Sequence, residues 1–442
     1  RDTGLADRLE TYVPGQAKRV YFPTAGASAL IHRDPTALAH EFRHRWGERG
    51  DVAGFRADEA RVVGFLQEGY RTARPPNVAD AVGRLGPALT RLWITGSAAD
   101  LVDHYFTSDY AKIYLAMTVT ESGPVSLHEP YSAFTLPMMD SGSVFDGYYG
   151  FVKPGLWRVT EELAAINQEL GVDIRLGALV DSVDPNRGLV HYRTGGHDQT
   201  ASFDHLVMAT DPLAAARIVG DGPTTALVEG KRFLGSSGKL NLFFRQPARW
   251  KNDTPADDAA FRFIFATESL AEFEQATLRV TGGEVAYAPG YLQIYCEGAA
   301  MRQLGLAEPF DRLTVFFKNL ALDHPGEALP AVEAEVKAQV LSRLANPDDC
   351  AWSRLLTPRD LQRLFHFPGG NIDHTELAGG QTFFDRQFAT DPDRAFYQFG
   401  RWPNLAYCGA GAYPCGSIAG TPGYMCAQQI IRGQRTGGPA RG

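Results

Sequence analysis

The stretch that most constrains this chain lies near its end. A short apolar run, Leu405–Cys408, enters a loop with glycines at 409, 411, 416, 420 and 423, and a helical segment follows from Thr421-Pro422 to Gly433. Thr suits the N-cap, Pro the first helical position and Gly the position just past a helix end. A strand, a glycine loop and a helix N-terminus together make a backbone-lined seat for an electron-rich group. Its usual companion, a G-x-G-x-x-G turn near the N-terminus, is absent from the sequence. The segment therefore reads as one half of a dinucleotide site.

With 442 residues, the chain has length for two domains and a large core. A net charge of −8 argues against a nucleic-acid partner, and no zinc-type Cys/His spacing or other metal motif is present. The 26 Phe and 17 Tyr fit either a well-packed core or an apolar substrate channel. Five scattered cysteines (296, 350, 408, 415, 426) form no disulfide framework, which predicts a reducing, cytoplasmic setting. No apolar run reaches the roughly 18 residues of a membrane span, although peripheral contact with a membrane and oligomerisation are both compatible with the composition. Residues 1–7 carry no signal-peptide core and no initiator Met, so the chain is expected to be processed, truncated or part of something longer.

Residues 19–32 read as two short strands around a Thr-Ala-Gly turn, and Asp34-Pro35 opens a helical region to about 74. Helical periodicity returns through 78–121. A helix is expected after Gly155, with Val159, Leu163, Ile166 and Leu170 on one face and Gly171 closing it. Short β runs follow at 172–176, 179–183, 189–192 and 202–210. Residues 223–350 read as mostly antiparallel sheet, with strands at 239–244, 261–266, 291–296 and 313–317 and a helix over 331–345.

Titratable groups concentrate further on. Thr357-Pro-Arg-Asp360 is a helix start close to the capping-box pattern. Beyond its end, Ile372-Asp373-His374-Thr375-Glu376 puts two carboxylates and an imidazole in a glycine-flanked loop, where chemistry tends to sit. His374 is read either as a hydrogen-bonded structural residue or as a group at the substrate.

Five segments, in order, resemble the phytoene desaturase-like flavoproteins, whose carotenoid isomerase and ketolase branches lie nearby. They are Val152–Leu163, Leu206-Val-Met-Ala-Thr-Asp-Pro212, Thr357–Leu361, Gly369-Gly-Asn-Ile372 with His374, and Tyr407–Gly411 with Pro414, Gly416 and Gly420–Gly423. Together they span roughly residues 20–432. The resemblance implies an α/β (α+β) fold: a discontinuous Rossmann-like FAD-binding domain plus a substrate domain of antiparallel sheet with helices. On that register residues 1–145 and 223–394 form the substrate domain, and 146–222 and 395–442 the FAD-binding domain. The implied reaction is hydride transfer from a C–H bond of an apolar small molecule to flavin N5.

Carried over residue by residue, Gly409, Ala410 and Gly411 would let the backbone approach the cofactor. Gly416, Ser417 and Ile418 would lie beside the flavin ring, and the helix start at Pro422 and Gly423 would aim N–H groups at its N1/O2 edge. Val180 falls where the family contacts adenine, and Ala209, Thr210 and Asp211 fall near the diphosphate. Asp373, His374 and Tyr413 are the candidate catalytic residues on the substrate side.

The chain also departs from the family. Tyr413 stands where relatives have His, and Cys415 and Ser417 stand where they have Gly; Pro154 and Trp157 replace glycines in the earlier turn. Tyr413 is either a phenolic donor or packing, and Cys415 either redox-active or filler. The βαβ unit carrying G-x-G-x-x-G would precede Arg1, lie on a separate polypeptide, or be missing outright. The last case makes the chain a non-catalytic or incomplete subunit of a larger complex. A flavin amine oxidase is a further alternative.

Overall fold

Leu240, Leu242 and Phe244 are buried while Lys239, Asn241 and Phe243 between them are half-buried, the period-2 signature of a strand with one face on a core. The same logic repeats along the chain in the computed structural model, which describes residues 3–15, 18–121, 123–142, 150–251, 258–287, 290–416 and 420–436. In chain order the strands are β1 (Thr11–Tyr12), β2 (Lys18–Phe22), β3 (Ala27–Ile31), β4 (Phe151–Val152), β5 (Ala178–Asp184), β6 (Leu189–Thr194), β7 (His197–Ser202) and β8 (Leu206–Met208). They continue with β9 (Gly238–Phe244), β10 (Arg262–Phe265), β11 (Tyr291–Tyr295), β12 (Asp311–Phe317), β13 (Cys350–Leu356), β14 (Gln398–Phe399) and β15 (Trp402–Tyr407).

Seven of these strands form one sheet in the order β13-β9-β12-β11-β10-β2-β3. All its pairings are antiparallel except β10 with β2. The early hairpin thus completes a sheet built mainly from residues 238–356, so the two stretches expected to form the substrate domain share it. β10 is buried along its whole length, as befits a central strand. Phe22 stacks on Phe265 across the β2–β10 pair at 5.0 Å between centroids. The helix Pro35–Trp46, capped by the Asp34 carboxylate, packs on β3, and Val52–Thr72 packs on that helix.

A second sheet of three strands, β14-β15-β8, holds the site. β15 and β8 run parallel, with Leu405 beside Leu206 and Tyr407 beside Met208. The Cys408 N–H donates to the Met208 carbonyl at 3.0 Å, carrying the pairing to the strand ends. Both strands therefore deliver their following loops to the same rim, where open parallel sheets bind ligands. A separate meander, β5-β6-β7, packs on the helix Pro212–Val219 that follows β8.

Three expectations are corrected. Residues 172–176 form no strand; the third meander strand is β7 at His197–Ser202. The helical region 78–121 is broken into short helices, interrupted at Gly86, whose φ of 86° is left-handed, and again at Gly96. The last helix, Thr421–Thr436, runs through Gly433 rather than stopping there. No helix among the described residues is long and apolar enough to cross a membrane.

Candidate functional site

The loop after β8 and the loop after β15 meet at the rim. A Cβ built on Gly409 would lie 3.0 Å from the Thr210 carbonyl oxygen and 2.7 Å from the Tyr407 hydroxyl, so the two backbones touch there and only glycine fits. A Cβ on Gly411 would sit 3.5 Å from the His374 Cβ and 3.6 Å from the Pro212 Cγ. One on Gly416 would meet the Ala410 Cβ at 3.1 Å and the Asp373 Oδ1 at 3.4 Å. Residues 209–212, 373–374 and 409–416 are thus one constellation, although they lie up to two hundred positions apart in sequence.

Ala209 and Thr210 are exposed at the rim, while Asp211 is buried and accepts from the Ala214 N–H at 2.8 Å, capping the helix Pro212–Val219. Pro422 is buried and Gly423 half-buried in the first turn of Thr421–Thr436, which follows the left-handed Gly420. The helix is anchored by Met425, fully buried under the Tyr397 hydroxyl. Val180 lies apart on β5, partly exposed. Ser417 and Ile418 lie outside the described residues.

His374 sits in the left-handed region, with φ 65°. Burial pushes its imidazole down to about 4, opposed by Asp211 and reinforced by Arg386, so it is neutral at pH 7. Its Nδ1 is buried with no hydrogen-bond partner. Asp373 is buried, and that burial raises its carboxyl above the usual range. Arg386, Lys318 and a hydrogen bond from the Gly416 N–H pull it back toward ionisation. Tyr413 is fully buried, with ring centroids of Tyr70 and Phe396 each 6.0 Å away and Phe383 at 6.3 Å. These rings pack around the Tyr413 phenol.

Sequence reasoning missed the residues that hold this loop. Arg386 is 1% exposed and donates to the carbonyls of Asp373 at 2.8 Å and Ala410 at 2.9 Å, with longer reaches to Thr375, Glu376 and Gln381. It ties the His374 loop to the glycine loop, and nothing in Phe384-Asp385-Arg386-Gln387 announces it. Lys318, just past β12, donates to the Glu121 carbonyl at 2.5 Å and to the Ser237 hydroxyl at 2.9 Å. Burial lowers its ammonium to about 8, with Glu121 and Asp373 opposing. Here a signal existed: a lysine inside the apolar run Val315–Leu320. Glu121 is buried as well, its carboxyl raised by that burial, and accepts from Gln293 Nε2 at 3.0 Å. No group of His, Cys, Asp and Glu among the described residues is arranged to hold a metal ion.

Residues 1–290 match the family described as flavin-containing amine oxidoreductase. The chain belongs to that family. It is 33% identical over 117 residues to the mouse pyridine nucleotide-disulfide oxidoreductase domain-containing protein 2, and equally so to the rat protein. That match spans 26% of this chain and only 17% of those relatives. In fold it is similar to a putrescine oxidase double mutant redesigned in cofactor binding, with TM-score 0.56, 14% identity, and coverage of 97% of this chain and 85% of the other. Cyclohexylamine oxidase from Brevibacterium oxydans IH-35A gives TM-score 0.56 at 13% identity, over 98% and 85% of the two chains.

Proposed function

We infer that the rim between β8 and β15 seats the flavin end of FAD, and that the enzyme removes a hydride from a C–H bond of a largely apolar substrate. The observation that carries this reading is the convergence of the Gly409–Gly416 loop on Asp373 and His374, at the carboxyl ends of two parallel strands. The unpartnered, buried Nδ1 of His374 suits an electron-rich, planar group lying against this loop. Gly409, Ala410, Gly411 and Gly416 would supply backbone contact, and the first turn of Thr421–Thr436 a positive helix end. Nothing in residues 1–442 supplies the glycine turn of the diphosphate half.

Flavin, when bound, supplies the acceptor for a hydride. The chain's own residues would position and insulate. Arg386 fixes the Asp373 and Ala410 carbonyls and so the spacing of the two loops. His374, neutral at pH 7, offers a hydrogen bond without adding a charge. Lys318 holds a proton between Glu121 and Asp373, beneath the loop. The aromatic wall of Tyr70, Phe383, Phe396 and Tyr413 keeps water from this side.

Desaturation or isomerisation of an apolar chain is favoured by the five-segment resemblance. Oxidation at the carbon beside an amine is the second reading, favoured by the family match. Anaerobic mixing of the purified, flavin-loaded protein with a panel of apolar polyenes and of primary amines separates them, the flavin bands bleaching with one class only. A preparation of intact protein that carries no flavin and takes none up overturns both.

A further inference from the structure

Two of the five free cysteines meet across the candidate site. Cys408 follows the last residue of β15 and opens the glycine loop. Cys426 lies in the second turn of the helix Thr421–Thr436. Their thiols are in hydrogen-bonding contact, Cys426 donating and Cys408 accepting. Tyr397 holds the backbone on both sides of that contact. Its carbonyl accepts from the Tyr407 N–H at 2.8 Å, and its hydroxyl lies 3.5 Å from the Met425 Sδ and 2.8 Å from the Tyr413 carbonyl oxygen. Tyr407 precedes Cys408 and Met425 precedes Cys426, so one buried residue fixes the neighbour of each cysteine, one at the strand end and one on the helix.

The two thiols are not equivalent. Cys426 is 1% exposed, whereas Cys408 is half-buried and is the one a small solute can meet. The proton that Cys426 shares lowers the Cys408 thiol below its ordinary value, against burial, and the same sharing raises that of Cys426. A more acidic, more accessible thiol beside a buried one that keeps its proton is the arrangement of an attacking and a resolving cysteine. Cys415, the cysteine inside the loop, is buried instead beside Tyr70, Tyr413 and Arg386.

We propose that Cys408 and Cys426 form a redox dithiol whose oxidant is a hydroperoxide, and that its disulfide ties the start of the glycine loop to the last helix. Cys408, as thiolate, attacks one peroxide oxygen. The O–O bond breaks, Cys408 becomes a sulfenic acid, and the departing hydroxide takes up the proton that Cys408 released. The Cys426 sulfur then attacks the Cys408 sulfur. The S–S bond forms, the S–O bond breaks, and the second hydroxide takes the Cys426 proton. The pair has lost two electrons and two protons, and hydrogen peroxide has become two waters. The bond closes a ring over residues 409–425, which include the glycines at 409, 411, 416, 420 and 423. Ring closure removes conformations from the chain between the cysteines, so a flavin seated there leaves more slowly. That consequence rests on the flavin reading, whereas the chemistry of the pair does not.

The purified protein, fully reduced and then treated with hydrogen peroxide, is alkylated and digested with chymotrypsin, which cuts after Tyr424 and so separates Cys426 from Cys408. The expected product is a pair of peptides joined and lighter by two hydrogens, with fragmentation placing the bond on Cys408 and Cys426. Two of the five thiols are lost, and dithiothreitol restores them. Cys426→Ser should leave Cys408 as a sulfenic acid that dimedone traps, and Cys415→Ser should leave the linkage intact. A bond to Cys415, a bond between two copies, or five free thiols after excess peroxide overturns the proposal. Flavin release, followed by fluorescence on dilution, should be about fivefold slower from the disulfide form than from the reduced form. A disulfide with unchanged release overturns the clamp on the seat. A protein that forms the disulfide yet binds no flavin overturns the flavin reading and leaves the dithiol standing.

Discussion

Replacing His374 by Asn keeps a residue that tolerates the left-handed backbone at φ 65° while removing the imidazole. In the folded protein burial lowers that imidazole from 6.5 to about 4, whereas in the unfolded chain it titrates normally. Below about pH 6.5 the unfolded chain takes up a proton that the folded protein refuses, so stability is lost as pH falls through this window. Between pH 7 and 4.5 that loss is about 2.5 kcal/mol from this one group. Carboxylates titrate over the same range, but their contribution is common to both proteins and drops out of the difference. Urea unfolding at half-unit steps from pH 7.5 to 4.5 should therefore give a wild-type curve that falls more steeply than that of His374→Asn. The gap closes by about 2.5 kcal/mol at the acid end. Parallel curves would refute the placement of a neutral, desolvated imidazole at the rim, and with it the role given to His374. Curves that diverge toward acid would reverse its sign.

Other consequences follow from the same contacts. Arg386→Met strands the Asp373 and Ala410 carbonyls and the Asp373 carboxyl without their cation, and should cost about 3–5 kcal/mol in urea unfolding, with loss of bound flavin; a cost below about 1 kcal/mol would show that the hub is dispensable. Gly235→Ala puts a Cβ 2.5 Å from the Gly370 carbonyl carbon and oxygen, so about 1–3 kcal/mol should be lost. Gly423→Ala, with no heavy atom within 4 Å of its Cβ, should be neutral or stabilising by up to about 1 kcal/mol in the same assay. Thr357→Ala removes the hydroxyl that accepts from the Asp360 N–H at 3.1 Å in a complete capping box, and should lower stability by about 1 kcal/mol, read as a shift in urea midpoint at constant slope.

What was legible in the sequence was what depends on neighbours in sequence. The alternation through Gly238–Phe244, the Asp34 and Thr357 caps and the glycine spacing after Tyr407 are local constraints, and each appears in the fold. Arg386 and Lys318 were not read as site residues, because their meaning comes from carbonyls and carboxyls brought in from other segments: Ala410 for the one, Glu121 and Ser237 for the other. The 172–176 segment is the instructive case between. Its alternation, Val-Asp-Ile-Arg-Leu, has a strand's period, yet a strand is half of a pair, and these residues have no ladder partner among the described ones.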